Sequence, residues 1–267
     1  MHVLGYFFAV VIGLVMGLIG GGGSILSVPV FAYIFNIDAI TATTLSLFVV
    51  GVTSSAGSVG FLRQGSINFK TALLFGLPSV LGILFSRRVV LPHLPPFIIN
   101  RWGISITKEM FILVLFALLM LISAFKMIKK TDRQRIRKSE DVNYTLLISQ
   151  GLLVGIITGF IGAGGGFLIV PALVMLLGVS MKQAVATSLF IISINSMIGF
   201  ISSLDKVVID WHFLLSFSAL SVVGILIGVQ LAKRIEGRKL RPLFGWFVLA
   251  MAVFIIVNEL FIKQITS

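Results

Sequence analysis

The sequence contains no cysteine, and only 11% of its 267 residues are charged. The first absence excludes disulfides, thiolate metal sites and a cysteine nucleophile. The three histidines lack metal-ligand spacing, and no Ser-His-Asp or paired-carboxylate arrangement lies within the apolar segments. We therefore expect no enzymatic activity, no cofactor and no metal ion.

Apolar residues make up 58% of the chain, and its mean hydropathy is +1.12. Several apolar runs are long enough to cross a hydrocarbon core of about 30 Å as a helix. The runs are continuous rather than alternating, which argues against a membrane β-barrel. The composition predicts an all-α, polytopic transmembrane helical bundle.

The net charge of +12 is concentrated in two stretches, Lys126–Lys138 with seven basic residues and Lys233–Arg241 with five. Clustered basic residues beside membrane spans are typical of cytoplasmic loops. They also attract anionic lipid headgroups. We therefore expect membrane lipids, and no nucleic acid, as partners of these stretches.

The chain carries an internal repeat in which Gly13 aligns with Gly155. Residues 13–84 match residues 155–226 without gaps, and about a third of the aligned positions are identical. Two residues are called equivalent below if they align in this repeat. The same offset is used for residues beyond the aligned stretch. The repeat predicts a first transmembrane half over residues 1–128, a basic cytoplasmic linker over 129–142 and a second half over 143–267.

Each half contains four hydrophobic elements, and the first of each is interrupted by glycines. If that first element returns to its starting face or crosses twice, both basic stretches fall on the same side of the membrane. The positive-inside rule favours this inverted arrangement of the halves, although Arg87, Arg88 and Arg101 then lie outside and count against it. The predicted elements cover residues 3–36, 40–62, 69–91 and 107–128, then 144–178, 182–204, 211–232 and 242–262.

The two glycine runs are the candidate binding turns. Glycine-rich breaks at membrane depth leave backbone groups without helical partners, which is tolerated only inside protein or beside a cavity. The exposed N–H groups of a restarting helix favour an anion. Wider-spaced glycines (Gly13, Gly17, Gly155 and Gly159) are better explained by close helix packing. The candidate binding residues are Gly20, Gly21, Gly22, Gly23 and Ser24 in the first run, and Gly162, Ala163, Gly164, Gly165 and Gly166 in the second.

The second element of each half adds uncharged polar side chains that could hold an anion reversibly. Hydrogen bonding between helices explains each single hydroxyl equally well. We expect the broken helices to restart near Ser24 and Gly166, and Pro29 and Pro171 to fix where they restart. Glu109 and Glu259 lie near segment ends and are expected at the interface, while Asp38 and Asp210 are expected as solvated helix caps. Ser46 and Ser54 are eight residues apart, as are Ser188 and Ser196, so each pair lies close to one helix face. The polar candidates are Ser46, Ser54, Thr187, Ser188 and Asn195, with Ser196 as the second member of its pair.

At these residues the sequence resembles the TauE/SafE family of bacterial membrane permeases. Two motifs of the form Gly-x-Gly-Gly-[Gly/Ser]-x-x-x-Val-Pro carry the resemblance, from Gly20 to Pro29 and from Gly162 to Pro171. The run Ala186–Leu189 supports it. The resemblance implies about eight transmembrane segments, a bacterial inner membrane, and transport of sulfite, sulfonates or related organic anions.

The sequence therefore predicts a secondary transporter that works by alternating access at the interface of the two halves. Its expected partners are a small anion and, as a candidate coupling ion, a proton or sodium. Two alternatives stay open: a passive anion channel, and a membrane subunit without transport activity in which the glycines serve packing alone. The substrate, the direction of transport and the oligomeric state are left open.

Overall fold

The computed structural model describes residues 2–95, 97–101, 104–128, 144–162, 164–177, 179–234 and 237–259. The predicted linker over 129–142 lies outside these residues. Eleven α-helices are described: α1 His2–Ile19, α2 Ser24–Pro29, α3 Ala39–Arg63, α4 Phe69–Phe85, α5 Leu91–His93, α6 Lys108–Ile128, α7 Tyr144–Ile161, α8 Gly166–Leu177, α9 Met181–Ile201, α10 Trp211–Arg234 and α11 Gly237–Val257.

Two of these helices continue as π-helix: α2 over Val30–Ile34 and α4 over Ser86–Val90. The predicted segments correspond closely to the helices. One departure is a short antiparallel strand pair, β1 Phe97–Arg101 and β2 Ile104–Thr107, in the connection before α6. Another is the expected loop over Lys233–Arg241, because α10 runs to Arg234 and α11 begins at Gly237.

The protein is a helical membrane protein, and its surface shows where lipid is expected. Among the described residues, five helical segments are long and apolar enough to span a membrane. On α4, Leu73, Leu77 and Leu81 form a stripe at a spacing of four residues, and each is about 60% exposed. Such a stripe on a water-soluble protein would be an aggregation site. The spanning segments are 39–63, 69–93, 144–161, 181–201 and 211–232.

Helix starts are capped alike in the two halves. The Asp38 carboxylate accepts from the Thr41 N–H at the start of α3, and the equivalent residue, Ser180, caps α9 through its hydroxyl. Asn68 and Asp210, which are also equivalent, cap α4 and α10. Side-chain oxygens at these positions satisfy N–H groups that lack a helical acceptor. The expectation that Asp38 and Asp210 act as caps is confirmed.

Glycines bring two pairs of helices into backbone contact across the halves. A Cβ built on Gly13 of α1 would overlap the Ser221 carbonyl oxygen of α10. A Cβ built on Gly155 of α7 would overlap the Ser79 carbonyl oxygen of α4. The two contacts are themselves equivalent, because Gly13 aligns with Gly155 and Ser79 aligns with Ser221. They confirm that these glycines serve close helix packing.

Two contacts identify the helix ends that share a face with the linker. The Lys70 ammonium group donates to the Tyr144 hydroxyl at 2.7 Å, so the starts of α4 and α7 lie together. A Cβ on Gly245 would lie 2.7 Å from Ile128 Cγ1, so the first half of α11 passes the end of α6. We call this the linker face; it also receives the ends of α3 and α10.

The opposite face holds the start of α1, where the Tyr6 ring lies 6.3 Å from that of Phe213 at the start of α10. Helix α1 thus begins at the opposite face, whereas its equivalent α7 begins at the linker face. Opposed starts of this kind are what an inverted repeat requires. The inverted relation of the halves and the number of crossings stay predictions.

Glu259, expected at the interface, is instead 1% exposed. Its Oε1 accepts a hydrogen bond of 2.9 Å from the Tyr33 hydroxyl on the π-helical continuation of α2. The carboxylate lies just beyond the apolar part of α11, where hydropathy alone indicates an exposed helix end. The expectation was wrong because a distant tyrosine covers this end.

We expect Tyr33→Phe to lower the free energy of unfolding by about 1–3 kcal/mol, because it removes a part-buried hydrogen bond to a buried carboxylate. Thermal unfolding of the detergent-solubilised protein measures the change. Tyr144→Phe is the matched control, since it removes an exposed hydrogen bond and should cost about 0.5 kcal/mol or less. Equal losses in the two variants would contradict the burial of this contact.

Candidate functional site

Both glycine runs break a helix where the sequence predicts a break. The first separates α1 from α2 and the second separates α7 from α8. Gly20 has φ +81°, and Gly162, Gly164 and Gly165 have φ between +64° and +76°. L-residues with side chains rarely adopt this left-handed conformation. The two chain reversals therefore depend on glycine at these positions.

The two turns lie against each other inside the protein. Gly21 and Gly166 are in backbone contact, and a Cβ on either residue would overlap the Cα of the other. Ile192, which is near the middle of α9, adjoins Gly21, and Val50, which is near the middle of α3, adjoins Gly164. All the described turn residues in which burial is defined are buried. The breaks thus meet at about half the length of the two crossing helices.

Each turn also contacts a helix of the other half. A Cβ on Gly20 would lie 3.0 Å from the Ser188 Oγ and 3.2 Å from the Val185 Cα, both on α9. The equivalent glycine, Gly162, lies against Thr43 on α3. Thr43 and Val185 are themselves equivalent in the repeat. The two turns therefore lie at the interface between the halves.

The second turn precedes a helix start whose first N–H groups lack a helical acceptor. Helix α8 begins at Gly166, and the N–H groups of Leu168 and Ile169 already bond to the Gly165 carbonyl. By helix geometry the N–H groups of Gly166 and Phe167 have no acceptor within α8. The N-terminal end of a helix also carries partial positive charge. This end is suited to an anion.

Hydroxyl groups connect the first turn to α3. The Ser24 hydroxyl donates to the Gly21 carbonyl at 2.6 Å, which closes the turn. The Ser27 and Ser46 hydroxyls are 2.5 Å apart and join α2 to α3. Ser27 was not predicted from sequence, since its equivalent is Ile169. The Ser46 hydroxyl is thus already engaged with α2 in this state.

Other predicted hydroxyls are satisfied by their own helix. Ser54 donates to the Val50 carbonyl and Ser188 to the Val185 carbonyl. Such bonds are easily exchanged for a ligand, because the hydroxyl can rotate and keeps its acceptor lone pairs. Ser188 adjoins Gly20 and is therefore at the turn, whereas the contacts of Ser54 are with α3 itself.

Ser196, which the sequence pairs with Ser188 on one face of α9, lies at the second turn. Its hydroxyl is buried, has no hydrogen-bond partner in the described part of the chain, and would lie 2.6 Å from a Cβ on Gly164. A buried hydroxyl without a partner costs free energy. Its equivalent in the repeat is Ser54, and the sequence already favoured a role for both matched serine pairs.

Asn195, a predicted site residue, bonds to a neighbouring helix. Its Nδ2 donates to the Ser79 hydroxyl on α4 at 2.6 Å, and its Oδ1 has no partner among the described residues. The amide thus ties α9 to α4 and retains one open acceptor. The buried carbonyl oxygen favours a donor group in the space next to it.

Several predicted residues lie away from the junction of the turns or make other contacts. The Thr187 hydroxyl accepts from the Asn68 N–H at the start of α4, on the linker face. Gly23 packs on α1 against Ile12 and Met16. Gly22 belongs to the first turn, and Ala163 lies outside the described residues.

The two prolines do not mark the helix restarts. Pro29 and Pro171 are each the sixth residue of a helix, because α2 begins at Ser24 and α8 at Gly166. Pro29 instead stands where α2 changes to π-helix. Proline has no N–H and removes one bond of the α-helical ladder, which is consistent with that change.

A cavity of about 350 Å³ opens at the linker face. It lies between the end of α3, the start of α9 and the end of α10. Leu18 and Val185 line its inner end, close to Gly20, and Lys182 and Gln183 are among the polar residues at its mouth. The glycine amides themselves are covered in this state. A partly polar cavity thus lies beside the first turn.

Comparison with known proteins decides the family. The family model described as "Sulfite exporter TauE/SafE" matches residues 6–255. The chain belongs to the TauE/SafE family. TauE/SafE membership covers both halves and both glycine turns, and it makes this chain a multi-pass membrane protein of a transporter family.

Curated TauE/SafE relatives are similar along nearly their full length. A probable membrane transporter protein of Xylella fastidiosa (strain Temecula1) is 28% identical over 253 residues, which cover 92% of this chain and 91% of the relative. A probable membrane transporter protein of Bacillus subtilis, YunE, is 26% identical, with 87% and 90% covered. One from Methanocaldococcus jannaschii is 24% identical, with 93% and 94% covered. No solved structure matches the chain.

Proposed function

We propose that the protein is a secondary transporter for small sulfur-containing or related organic anions, such as sulfite or sulfonates. The anion binds at the junction of the two glycine turns, where the N–H groups at the start of α8 face the first turn. Ser188 and Ser196 supply hydroxyls. Ser46, Ser54 and Asn195 shape the surrounding helices.

The observation that carries the proposal is the backbone contact between Gly21 and Gly166 in the interior. Two interrupted helices meet there, next to the midpoints of α3 and α9. Packing alone is satisfied by single spaced glycines, as at Gly13 and Gly155. The second turn in addition holds a partnerless buried hydroxyl, on Ser196, which favours a ligand over packing.

Alternating access is supported by the arrangement of contacts. Helices α1 and α7 occupy equivalent grooves but start at opposite faces, as expected if two inverted halves exchange conformations. The cavity opens at the linker face only as far as Leu18 and Val185. The basic stretches make this face cytoplasmic by the positive-inside rule. The state described is then open toward the cytoplasm of a bacterial cell, with the protein in its plasma membrane.

Thermal unfolding with a panel of anions tests the ligand class. The purified protein is heated with sulfite, sulfate, thiosulfate, taurine or acetate, each against sodium chloride of equal ionic strength. A ligand at one hundred times its dissociation constant stabilises the folded state by about 2.7 kcal/mol. We expect a sulfur oxyanion or sulfonate to raise Tm by several degrees. No rise with any anion would contradict the proposal.

Flux in proteoliposomes then separates the transporter from the channel and the packing subunit. Radiolabelled sulfite uptake by a transporter should saturate and should be accelerated by unlabelled sulfite on the other side. Uptake that follows voltage alone without saturation would establish a channel. A folded protein without any flux would support a subunit that does not transport.

A further inference from the structure

Arg87 is a buried cation at the second glycine turn. It lies on the π-helical continuation of α4 and is 0% exposed, whereas the adjacent Arg88 is exposed. Its Nη1 donates to the Thr44 hydroxyl at 3.2 Å and to the Ser203 hydroxyl at 3.4 Å. Its Nη2 lies against Gly162, where a Cβ would collide with it. The guanidinium therefore lies next to the backbone of the turn.

An ionised side chain inside a membrane protein is costly and usually functional. Guanidinium is also the side-chain group that best matches the planar, two-point geometry of oxyanions. Here it is combined with the hydroxyls of Thr44 and Ser203 and with the backbone of the second turn at Gly162. The chemistry of this cluster suits a small oxyanion better than a cation or an uncharged solute.

The repeat shows which space Arg87 fills. Its equivalent is Val229, and the equivalent of its partner Ser203 is Phe61. Val229, Phe61 and Val185, the equivalent of Thr43, all line the cavity at the linker face. The guanidinium thus occupies, near the opposite face, the position that corresponds to an open cavity near the linker face.

We propose that the protein has a second entrance, on the face opposite the linker face, and that Arg87 binds the anion there. In the state described, Arg87 closes this entrance. This inference rests on the alternating-access function proposed above. When the halves exchange conformations, the space around Gly162 opens and the guanidinium turns from the hydroxyls of Thr44 and Ser203 to the anion. The linker-face entrance has no deep cation at the equivalent position, Val229, and instead has Lys182 at its mouth.

Substitution of Arg87 tests the binding role in proteoliposomes with radiolabelled sulfite. We expect Arg87→Gln to raise the half-saturating concentration for uptake about 10-fold to 100-fold, as for a lost charged hydrogen bond. Arg87→Lys keeps the positive charge but loses the planar two-point geometry of the guanidinium group. Its half-saturating concentration should lie between those of Arg87→Gln and the unchanged protein. The exposed neighbour gives the control, Arg88→Gln, which should match the unchanged protein. Equal half-saturation in folded Gln and Lys variants and the unchanged protein would overturn the proposal.

Cysteine accessibility provides a second measurement that leaves Arg87 in place. Because the chain has no cysteine, Ser203→Cys and Val229→Cys each carry a single thiol. A membrane-impermeant maleimide should modify Val229→Cys from the linker face. It should modify Ser203→Cys slowly and only from the opposite face, and a saturating sulfonate, which unlike sulfite does not react with maleimide, should change that rate at least about threefold. A rate for Ser203→Cys that the sulfonate does not alter, or modification from the linker face, would overturn the role of Arg87.

The proposed function and the role of Arg87 can be contradicted separately. If the unchanged protein neither transports nor is stabilised by any anion of the panel, the proposed function is lost and this inference with it. If the unchanged protein transports sulfite and Arg87→Gln retains its half-saturating concentration, only the assignment of Arg87 is lost.

Discussion

Gly155→Val is expected to prevent the recovery of folded protein. A Cβ on Gly155 would overlap the Ser79 carbonyl oxygen and lie 2.6 Å from the Ser79 Cα. These are backbone atoms of α4, so the added carbons can be accommodated only if α4 and α7 separate along their length. We expect a loss of about 3 kcal/mol or more in the free energy of unfolding. The monodisperse fraction after size-exclusion chromatography measures the effect.

A variant in the equivalent interface and a control variant on α4 test the same expectation. Gly13→Val should be equally damaging, because it meets the Ser221 carbonyl oxygen in the equivalent interface of α1 with α10. Gly76→Ala on α4 places its Cβ 3.7 Å from Ile191, an ordinary contact, and should leave Tm unchanged or slightly higher. If Gly155→Val and Gly76→Ala behaved alike, the close approach of α4 and α7 would be contradicted.

Gly164→Ala is expected to leave a folded protein that no longer binds anions. Its Cβ would lie 2.6 Å from the Ser196 Oγ and 2.7 Å from the Val50 Cγ1, both ends of side chains that can shift. The methyl group then occupies the space next to the partnerless hydroxyl. We expect the sulfite-induced rise in Tm to disappear and uptake to fall at least about tenfold, if that space belongs to the binding site.

Backbone strain has to be separated from this effect. Alanine at φ +64° costs about 1–2 kcal/mol wherever it occurs. Gly65→Ala isolates that cost, because Gly65 has φ +62° and a Cβ there would meet no atom within 4 Å. Gly65→Ala should lose stability and keep the response to sulfite. A normal response to sulfite in Gly164→Ala would remove the second turn from the binding site.

The positions of the helices and of both turns could be predicted because hydropathy and glycine are local signals. The restarts at Ser24 and Gly166 and the packing role of Gly13 and Gly155 follow from them. Thr187 was assigned to the site because it precedes Ser188 in the sequence. Its hydroxyl instead accepts a hydrogen bond from the Asn68 N–H at the start of α4. A hydroxyl on a helix can face any of several neighbours, and the sequence does not determine which one.

The charged residues of the interior were the least predictable. Arg87 ends an apolar run beside Arg88, which is the ordinary pattern of a solvated helix end, and the π-helical continuation that directs it inward is not encoded by a simple periodicity. Its alignment with Val229 was the available signal, since an arginine that replaces an apolar residue in a repeat departs from the symmetry. Glu259 was missed for a related reason, because Tyr33 comes from a segment 226 positions away.

The first helix of each half packs against the other half, and this arrangement has a consequence for synthesis. Helix α1 packs on α10, whose first residue follows the end of α1 by almost two hundred residues. At about 5–20 residues per second, the ribosome needs roughly ten to forty seconds to produce that partner. During this time the glycine-lined side of α1 stays uncovered in the lipid or rests on the insertion machinery. The carboxyl-terminal half therefore completes the amino-terminal one, and neither half should mature when it is produced alone.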